Sequence, residues 1–435
     1  NATKLAELED AGLADDTIVF FYSDHGSGLP RHKRLLHDSG MQVALMVRFP
    51  EKYQHLAPAS PGSVIDDLVS FVDFTPSVLH MAGVAIPNHM QGTTLLTAEA
   101  SSLAKREVIY GTRDRVDEVF DCSRSVRNKK YLYIRNYMPH LSWNQPSVFS
   151  DLAEMRRSIT KVAADDWESL SPAQQHYAGP TKSIEEFYDI QADPANIVNL
   201  LDYELTAGQQ KELDALRAAL VEQRMSVRDA GAINETTARN VMAEEQATLL
   251  EVLAGKSDHA PDLKAAWEAA DQVGKASKDD LLAMLGSGDE SVRFWGVIGL
   301  RVAHGGDAEI HDRVVDHLED VAGAVRIETA HWLAADSEKY HQAALKQLVA
   351  DTGDAGWWTA LRAVRSIELL GEKARSVLPE MKVLYAKTRN SPGDQNFFIA
   401  FSSGAFLDKL GEETQAWDFS PGAGSFSADK KKEKQ

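Results

Sequence analysis

Residues 17–40 read TIVFFYSDHGSGLPRHKRLLHDSG. The run 18–22, IVFFY, is apolar throughout, β-branched and aromatic, with polar residues on either side. Such a run predicts a strand buried on both faces. It stops at Ser23-Asp24-His25-Gly26. Ligands of open α/β sheets gather at the carboxyl ends of strands, so Asp24 and His25 stand where chemistry is usually placed. Asp24 offers a hard anionic oxygen and His25 a ring nitrogen, which makes them candidate metal ligands. Gly26 and Gly28 would let the backbone turn away closely. A basic cluster follows at Arg31, His32, Lys33 and Arg34. A metal-ligand pair beside a fixed ammonium suits an oxyanion such as sulfate or phosphate.

On the N-terminal side, residues 1–12 have the pattern of a helix end. Leu5, Leu8 and Ala11 share a face, and Gly12 is the stop. On the other side, 43–49 (VALMVRF) predicts a second strand closed by Pro50. The region 66–83 is helical, with Thr75 as an N-cap, Pro76 at the first helical position and Gly83 at the end. Asp73 is read as a carboxylate that organises this helix start. Farther on, VIYGT and KKYLYIR are strand-like, and the second alternates in a way that suits an antiparallel strand with one wet face. Residues 151–180 are polar and mostly helical or irregular, 186–190 form another short strand, and 209–224 are strongly helical.

From about 279 the chain repeats itself. The copies are DESVRFWGVIGL, AGAVRIETAHWLA, AGWWTALRAVRSIELLG and QNFFIAFSSGAFLDKLG. Their period, roughly 33–40 residues, is that of arrays of helix pairs, each burying its apolar face against its neighbours. The copies resemble HEAT repeats. Residues 416–435, with Gly, Ser and a KKKEK run, are expected to be a disordered tail.

The length, 435 residues, allows two or three domains. Hydrophobic residues make up 43% and charged residues 26%, as in ordinary globular chains. No uninterrupted apolar run approaches membrane-spanning length. A formal net charge of −19 argues against general nucleic-acid binding. It also opposes polyanions at long range, so such a ligand would depend on a local basic patch. The single cysteine, Cys122, excludes an intrachain disulfide and leaves the redox compartment open.

With these residues in view, 17–40 resembles the C-terminal half of the sulfatase catalytic domain, in the alkaline-phosphatase-like superfamily. The resemblance continues at 69–83 (VSFVDFTPSVLHMAG), Met90-Gln91-Gly92, 125–140 (SVRNKKYLYIRNYMPH) and 187–200 (FYDIQADPANIVNL). It implies an α/β fold over 1–225, part of a mostly parallel sheet plus a small antiparallel sheet; the sequence pattern itself adds a helical linker (226–278) and an all-α HEAT-like array (279–415). It implies a sulfuric ester hydrolase acting on sulfated polysaccharide or another sulfate ester, located in the periplasm or outside the cell. Asp24 and His25 would hold calcium, and Lys33 would act on the sulfate as catalytic and substrate-binding residue. Arg31, His32 and His140 are further substrate-binding candidates. The nucleophile would be a formylglycine made from a cysteine in a Cys-x-Pro-Ser-Arg motif. Asp121-Cys122-Ser123-Arg124 lacks that proline, so Cys122 is read as structural. The nucleophile, two further acidic ligands and any signal segment are therefore expected upstream of Asn1, and this chain alone is expected to be inactive. Two other classes stay open: a phosphatase or phosphodiesterase of the same superfamily, and a non-catalytic protein whose helical repeats recruit a protein partner.

Overall fold

A computed structural model describes residues 2–256, 260–354, 356–415 and 417. The expected tail, 416–435, lies outside the described residues except for 417. The chain forms two compact units. The first comprises Asn1–Thr112, Arg124–Arg135 and Glu185–Val227; the second comprises Arg113–Ser123, Asn136–Ile184 and Arg228–Gln435.

The first unit opens with helix α1 (Ala2–Asp10). The chain leaves it through Gly12 at φ +68°, the left-handed conformation that glycine adopts without strain. Strand β1 (Val19–Tyr22) pairs antiparallel with β2 (Leu45–Arg48), Val19 opposite Arg48 and Tyr22 opposite Leu45. Both strands fall where the apolar runs placed them, but two expectations are corrected. The first is the parallel sheet, because β1 meets β2 antiparallel. Residues 23–44 fold back as a closed loop, with the Gly26 N–H donating to Gly40 O at 2.9 Å. A chain that returns beside the strand it has just left pairs antiparallel, whereas a parallel pair needs a crossover. The second is burial on both faces. Phe21 and Tyr22 are exposed, and cover comes from one side, where Tyr22 packs edge-on to Phe74 with ring centroids 5.0 Å apart.

Helix α2 (Phe74–Met81) continues a short 3-10 turn, Phe71–Asp73. The helix starts two residues earlier than the expected first position, Pro76. Ser70 and Asp73 form a capping box, and Pro76 falls in the first turn, where its missing N–H breaks no helical bond. Asp73 is the organising carboxylate expected. It is fully buried and accepts from Ser70 N at 2.9 Å, Thr93 N at 3.0 Å and the Arg106 guanidinium. The Met90-Gln91-Gly92 turn presses on the same place: a Cβ on Gly92 would sit 1.8 Å from Val72 O.

A four-stranded sheet has the order β3 (Ile109–Arg113), β4 (Ser123–Arg127), β5 (Tyr131–Asn136) and β6 (Glu185–Asp189). Strands β5 and β6 are antiparallel, Tyr131 opposite Asp189 and Arg135 opposite Glu185. The wet face expected on β5 is absent, since all six of its residues are buried. Tyr131 and Tyr133 join Phe187 and Leu213, Leu216 and Leu220 of helix α3 (Ala207–Ser226) in one core. A tyrosine counts as polar in an alternation, yet its ring buries readily once its hydroxyl has a partner. Here Tyr133 Oη donates to Glu185 at 2.9 Å.

The second unit is helical. Short helices at Glu154–Asp165 and Pro172–Ala178 precede a long succession. It consists of α4 (Glu235–Glu245), α5 (Leu263–Asp271), α6 (Lys278–Leu285), α7 (Glu290–His304), α8 (Ala308–Val314), α9 (Gly323–Asp336), α10 (His341–Asp351), α11 (Trp357–Leu370), α12 (Leu378–Thr388) and α13 (Asp394–Lys409). Among the described residues no strand follows Asp189. Helices α6 and α7, α9 and α10, and α12 and α13 pack as pairs, while α7, α9, α11 and α13 pack each on the next. An ion pair recurs with the repeat: Arg293 Nη2 to Asp320 at 2.7 Å and Arg326 Nη2 to Asp351 at 2.6 Å. The described regular elements between 226 and 278 are all helical, and Trp267 among them is buried and donates its indole N–H to Asp229 O at 2.6 Å. Cys122 is buried too, its thiol directed at Gly231 O at 3.6 Å, which suits a structural residue.

Candidate functional site

The loop after β1 gathers most of the candidate residues. Gly26 and Gly40 shape it. A Cβ on Gly26 would lie 1.9 Å from Ser39 O, and one on Gly40 2.3 Å from His32 O and 2.4 Å from Leu35 O. Those contacts are with backbone, which cannot step aside cheaply, so glycine is what closes the loop. Gly28 plays no such part, because a Cβ there meets nothing within 4 Å. Closure brings the second half of the loop onto the first: Lys33 N donates to Ser27 O at 3.1 Å, and His32 Nδ1 lies 2.8 Å from Ser27 Oγ.

Asp24 and His25 lie side by side and open to solvent. Asp24 Oδ2 is 3.4 Å from His25 Nε2, and their side chains are 80% and 34% exposed. His25 Nδ1 is 2.6 Å from Gly26 O. A carbonyl only accepts, so Nδ1 carries a proton there, while Nε2 is the nitrogen on the side of Asp24. Among the described residues, no third His, Cys, Asp or Glu gathers around this pair as a metal-binding group.

The rest of the loop is clamped from 193–199, within another of the segments that carry the family resemblance. Arg31 donates through its guanidinium to the carbonyls of Ala195 and Asn196. Asp38 N donates to Asn196 Oδ1 at 2.8 Å, and the Asp38 carboxylate receives Arg127 Nε at 2.9 Å. His37 is fully buried, with Nε2 3.0 Å from Glu186 Oε2, and Tyr188 Oη donates to the same oxygen at 2.6 Å. The loop turns through Arg31 and Arg34 at φ +66° and +73°. Sequence reasoning missed Asp38, Arg127, Glu186 and Asn196 as supports. The one visible signal was Asp193-Pro194-Ala195-Asn196, a turn motif whose Asn takes φ +54°.

The candidates thus divide. Asp24, His25, Arg31, His32 and Lys33 share one closed loop of the first unit, with the Arg31 guanidinium engaged by backbone carbonyls. His140 belongs to the second unit. It is largely buried, its Nε2 3.3 Å from Glu328 Oε1, and Glu328 also pairs with Arg301 Nη1 at 2.7 Å. Burial, reinforced by the Arg301 charge, pushes the His140 pKa below the ordinary histidine value.

Comparisons with known proteins bear on this loop. Residues 30–169 match the family described as N-sulphoglucosamine sulphohydrolase, C-terminal. Lys33 and His140 lie inside that match, and Asp24 and His25 just before it. The chain is similar to an ulvan-active sulfatase of Formosa agariphila, 36% identical over 196 residues, which are 45% of this chain and 31% of that protein. It is similar also to the N-sulphoglucosamine sulphohydrolase of Homo sapiens, 30% identical over 207 residues, 45% of this chain and 39% of that protein. A solved structure in complex with its substrate, D-glucosamine-2-N,6-O-disulfate, shares 20% identity at a TM-score of 0.36, covering 52% of this chain and 38% of that one. The homologues are sulfatases, sulfuric ester hydrolases, and the chain spans about a third of the length of the curated relatives it matches. No helix among the described residues is long and apolar enough to cross a membrane.

Proposed function

We propose that this chain is the C-terminal part of a sulfuric ester hydrolase acting on sulfated carbohydrate, in the periplasm or outside the cell. One observation supports it most. A single closed loop holds a carboxylate, an imidazole whose Nε2 lies beside it, and Lys33, in a chain whose relatives are sulfatases. Asp24 would give an oxygen and His25 a nitrogen to a divalent cation, calcium in this reading, as two ligands of a larger set whose other members would be oxygens, about 6–8 ligands in all. A cation held there would polarise a sulfate oxygen. Lys33 would neutralise the charge of the sulfate and orient it, and the glycine-closed loop would keep that ammonium in register with Asp24 and His25. The clamp from Arg31, Asp38 and Asn196 would hold the loop still, so Arg31 acts on position and not on substrate. His32, fixed by Ser27, is the neighbour best placed to help bind the ester.

The covalent step would use a formylglycine nucleophile. Cys122, buried against Gly231, does not supply it, so in this proposal it belongs to the part of the enzyme that the relatives have and this chain does not span. The helices of the second unit are read as a HEAT-like array, on the strength of the recurring Arg–Asp pair. The test is hydrolysis of a chromogenic aryl sulfate. The 435-residue chain alone should not turn it over. The same chain joined to an upstream segment bearing Cys-x-Pro-Ser-Arg should, and should prefer the sulfate to the matching phosphate ester. Preference for the phosphate would replace this reading with the phosphatase one.

A further inference from the structure

Within the second unit, one arginine joins helix α7 to helix α9. Arg301 Nη1, on α7, donates to Glu328 Oε1 at 2.7 Å and reaches His331 Nδ1 at 3.2 Å, so a single nitrogen holds two residues a turn apart on α9. A guanidinium only donates. His331 Nδ1 must therefore accept, and the contact is a bond only while that nitrogen carries no proton. Glu328 and His331 are 4% and 7% exposed, so water is largely shut out from replacing it.

The charges around this junction leave little room for another cation. Arg362, on α11, brings Nη1 to 3.9 Å from Glu328 Oε2. Arg365 of the same helix adds its charge to the surroundings of His331, although it is itself paired with Glu368 at 2.7 Å. His140 sets Nε2 3.3 Å from Glu328 Oε1, the oxygen that Arg301 uses, and Lys182 adds its charge to the surroundings of His140. On the other elements packed against α9, His311 meets Gly305 O, His317 meets Asp320, His341 meets Ala334 O and Lys373 donates to Ala335 O. Glu328 thus serves two guanidiniums already. Against its burial, the His140 ring and the Arg301 charge hold its carboxyl well below the usual carboxylate range, so it stays ionised. A proton on His331 would turn an N–H against the N–H of Arg301. A proton on His140 would set a further cation on Glu328 Oε1, in competition with Arg301.

We propose that the α7–α9 junction is an acid-sensitive joint, in which protonation of His331, and of His140 after it, shifts the two helices from packed to locally open. The direction follows from linkage. Burial, with Arg301 beside it, holds the His331 pKa well below the ordinary histidine value of 6.5, and His140 is lowered by the same two causes. A histidine kept neutral in the packed state contributes fully above about pH 6.5, and its contribution is lost as pH falls below that value. One such histidine raises the opening constant by up to about 25-fold between pH 7 and pH 5.

Hydrogen exchange of the full chain at pH 7 and pH 5 tests this, each amide's rate being divided by its intrinsic rate at that pH. Amides of α7 and α9 should open about 25-fold more often at pH 5, while those of α3 in the first unit change less than about threefold. His331→Gln offers Arg301 a neutral acceptor that takes no proton, so the acid response of α7 and α9 should shrink at least about fivefold. If circular dichroism shows that this variant does not fold, exchange of the histidine ring C2 hydrogens in the wild type decides: His331 should titrate at least about one unit below pH 6.5. A His331 midpoint at the ordinary value, an undiminished response in folded His331→Gln, or equal acceleration in α3, which is plain acid unfolding, would each overturn the proposal.

Discussion

Gly26→Ala should loosen the loop that carries Asp24, His25 and Lys33. The new Cβ would start 1.9 Å from Ser39 O and 2.9 Å from Gly40 Cα, and real Cβ contacts do not fall below 3.0 Å. One side of the loop must therefore move by about an ångström, and what it meets is backbone. Overpacking of this kind costs about 1–3 kcal/mol. The cost falls on the bond that closes the loop, Gly26 N–H to Gly40 O, and on Lys33 N–H to Ser27 O beside it. Hydrogen exchange of those two amides reads it locally: opening easier by that energy speeds exchange roughly 5- to 150-fold. Gly28→Ala is the internal control. Its Cβ meets nothing within 4 Å, so the change should stay within about 0.5 kcal/mol. Equal exchange in Gly26→Ala and wild type, or equal acceleration in both variants, would refute the claim that backbone contact at Gly26 closes the loop.

Three other expectations follow from buried polar groups. Asn196→Ala removes the acceptor of the Asp38 N–H and puts alanine at φ +54°; exchange at Asp38 should quicken, with a cost of about 1–3 kcal/mol in loop stability. Lys182→Met strips Asp121 of an ammonium 2.6 and 2.7 Å from its oxygens, both side chains being fully buried. Arg113 Nε stays 3.2 Å from Asp121, so urea unfolding should show a loss below the about 3–5 kcal/mol of a wholly unpaired buried charge. Glu118 is fully buried, and burial pushes its pKa up to about 7, partly offset by Arg365. A carboxyl raised in the folded state favours folding while protonated, so its contribution is full below about pH 4.5 and fades as pH rises to about 7. Glu118→Gln should remove a decline on the order of 3 kcal/mol from that window, seen as a smaller fall in thermal midpoint between pH 5 and about 7.5 than in the wild type.

Much of this was legible because the local signals are strong where one element decides its own form. IVFFY and VALMVRF became β1 and β2, KKYLYIR became β5, and the repeats became helices. What the runs could not show is what lies on each face. The strand 18–22 looked buried on both sides because its residues are apolar, yet Phe21 and Tyr22 are exposed. The strand 131–136 looked half wet because Tyr and Arg alternate in it, yet Tyr131, Tyr133 and Arg135 are buried. Both outcomes depend on distant packing partners that periodicity does not encode. The pairing of β1 with β2 turned on loop closure through Gly26 and Gly40, a steric fact between residues fourteen apart. Within the candidate site, the gathering of Asp24, His25 and Lys33 in one loop was readable from their order in the sequence. The clamp by Arg31, Asp38 and Asn196 was not, since it joins segments about 160 residues apart that share no pattern.

The most direct test of the account is the effect of Lys33→Ala on sulfate ester hydrolysis by the enzyme completed with its nucleophile segment, measured beside its thermal melt. The prediction is a fall in kcat/KM of about 100-fold or more, as for loss of a positioned cation that meets developing charge, with the melting temperature nearly unchanged, because the side chain is partly exposed. Undiminished turnover in a folded Lys33→Ala enzyme, or a loss matched by an equal loss of folded protein, would contradict it.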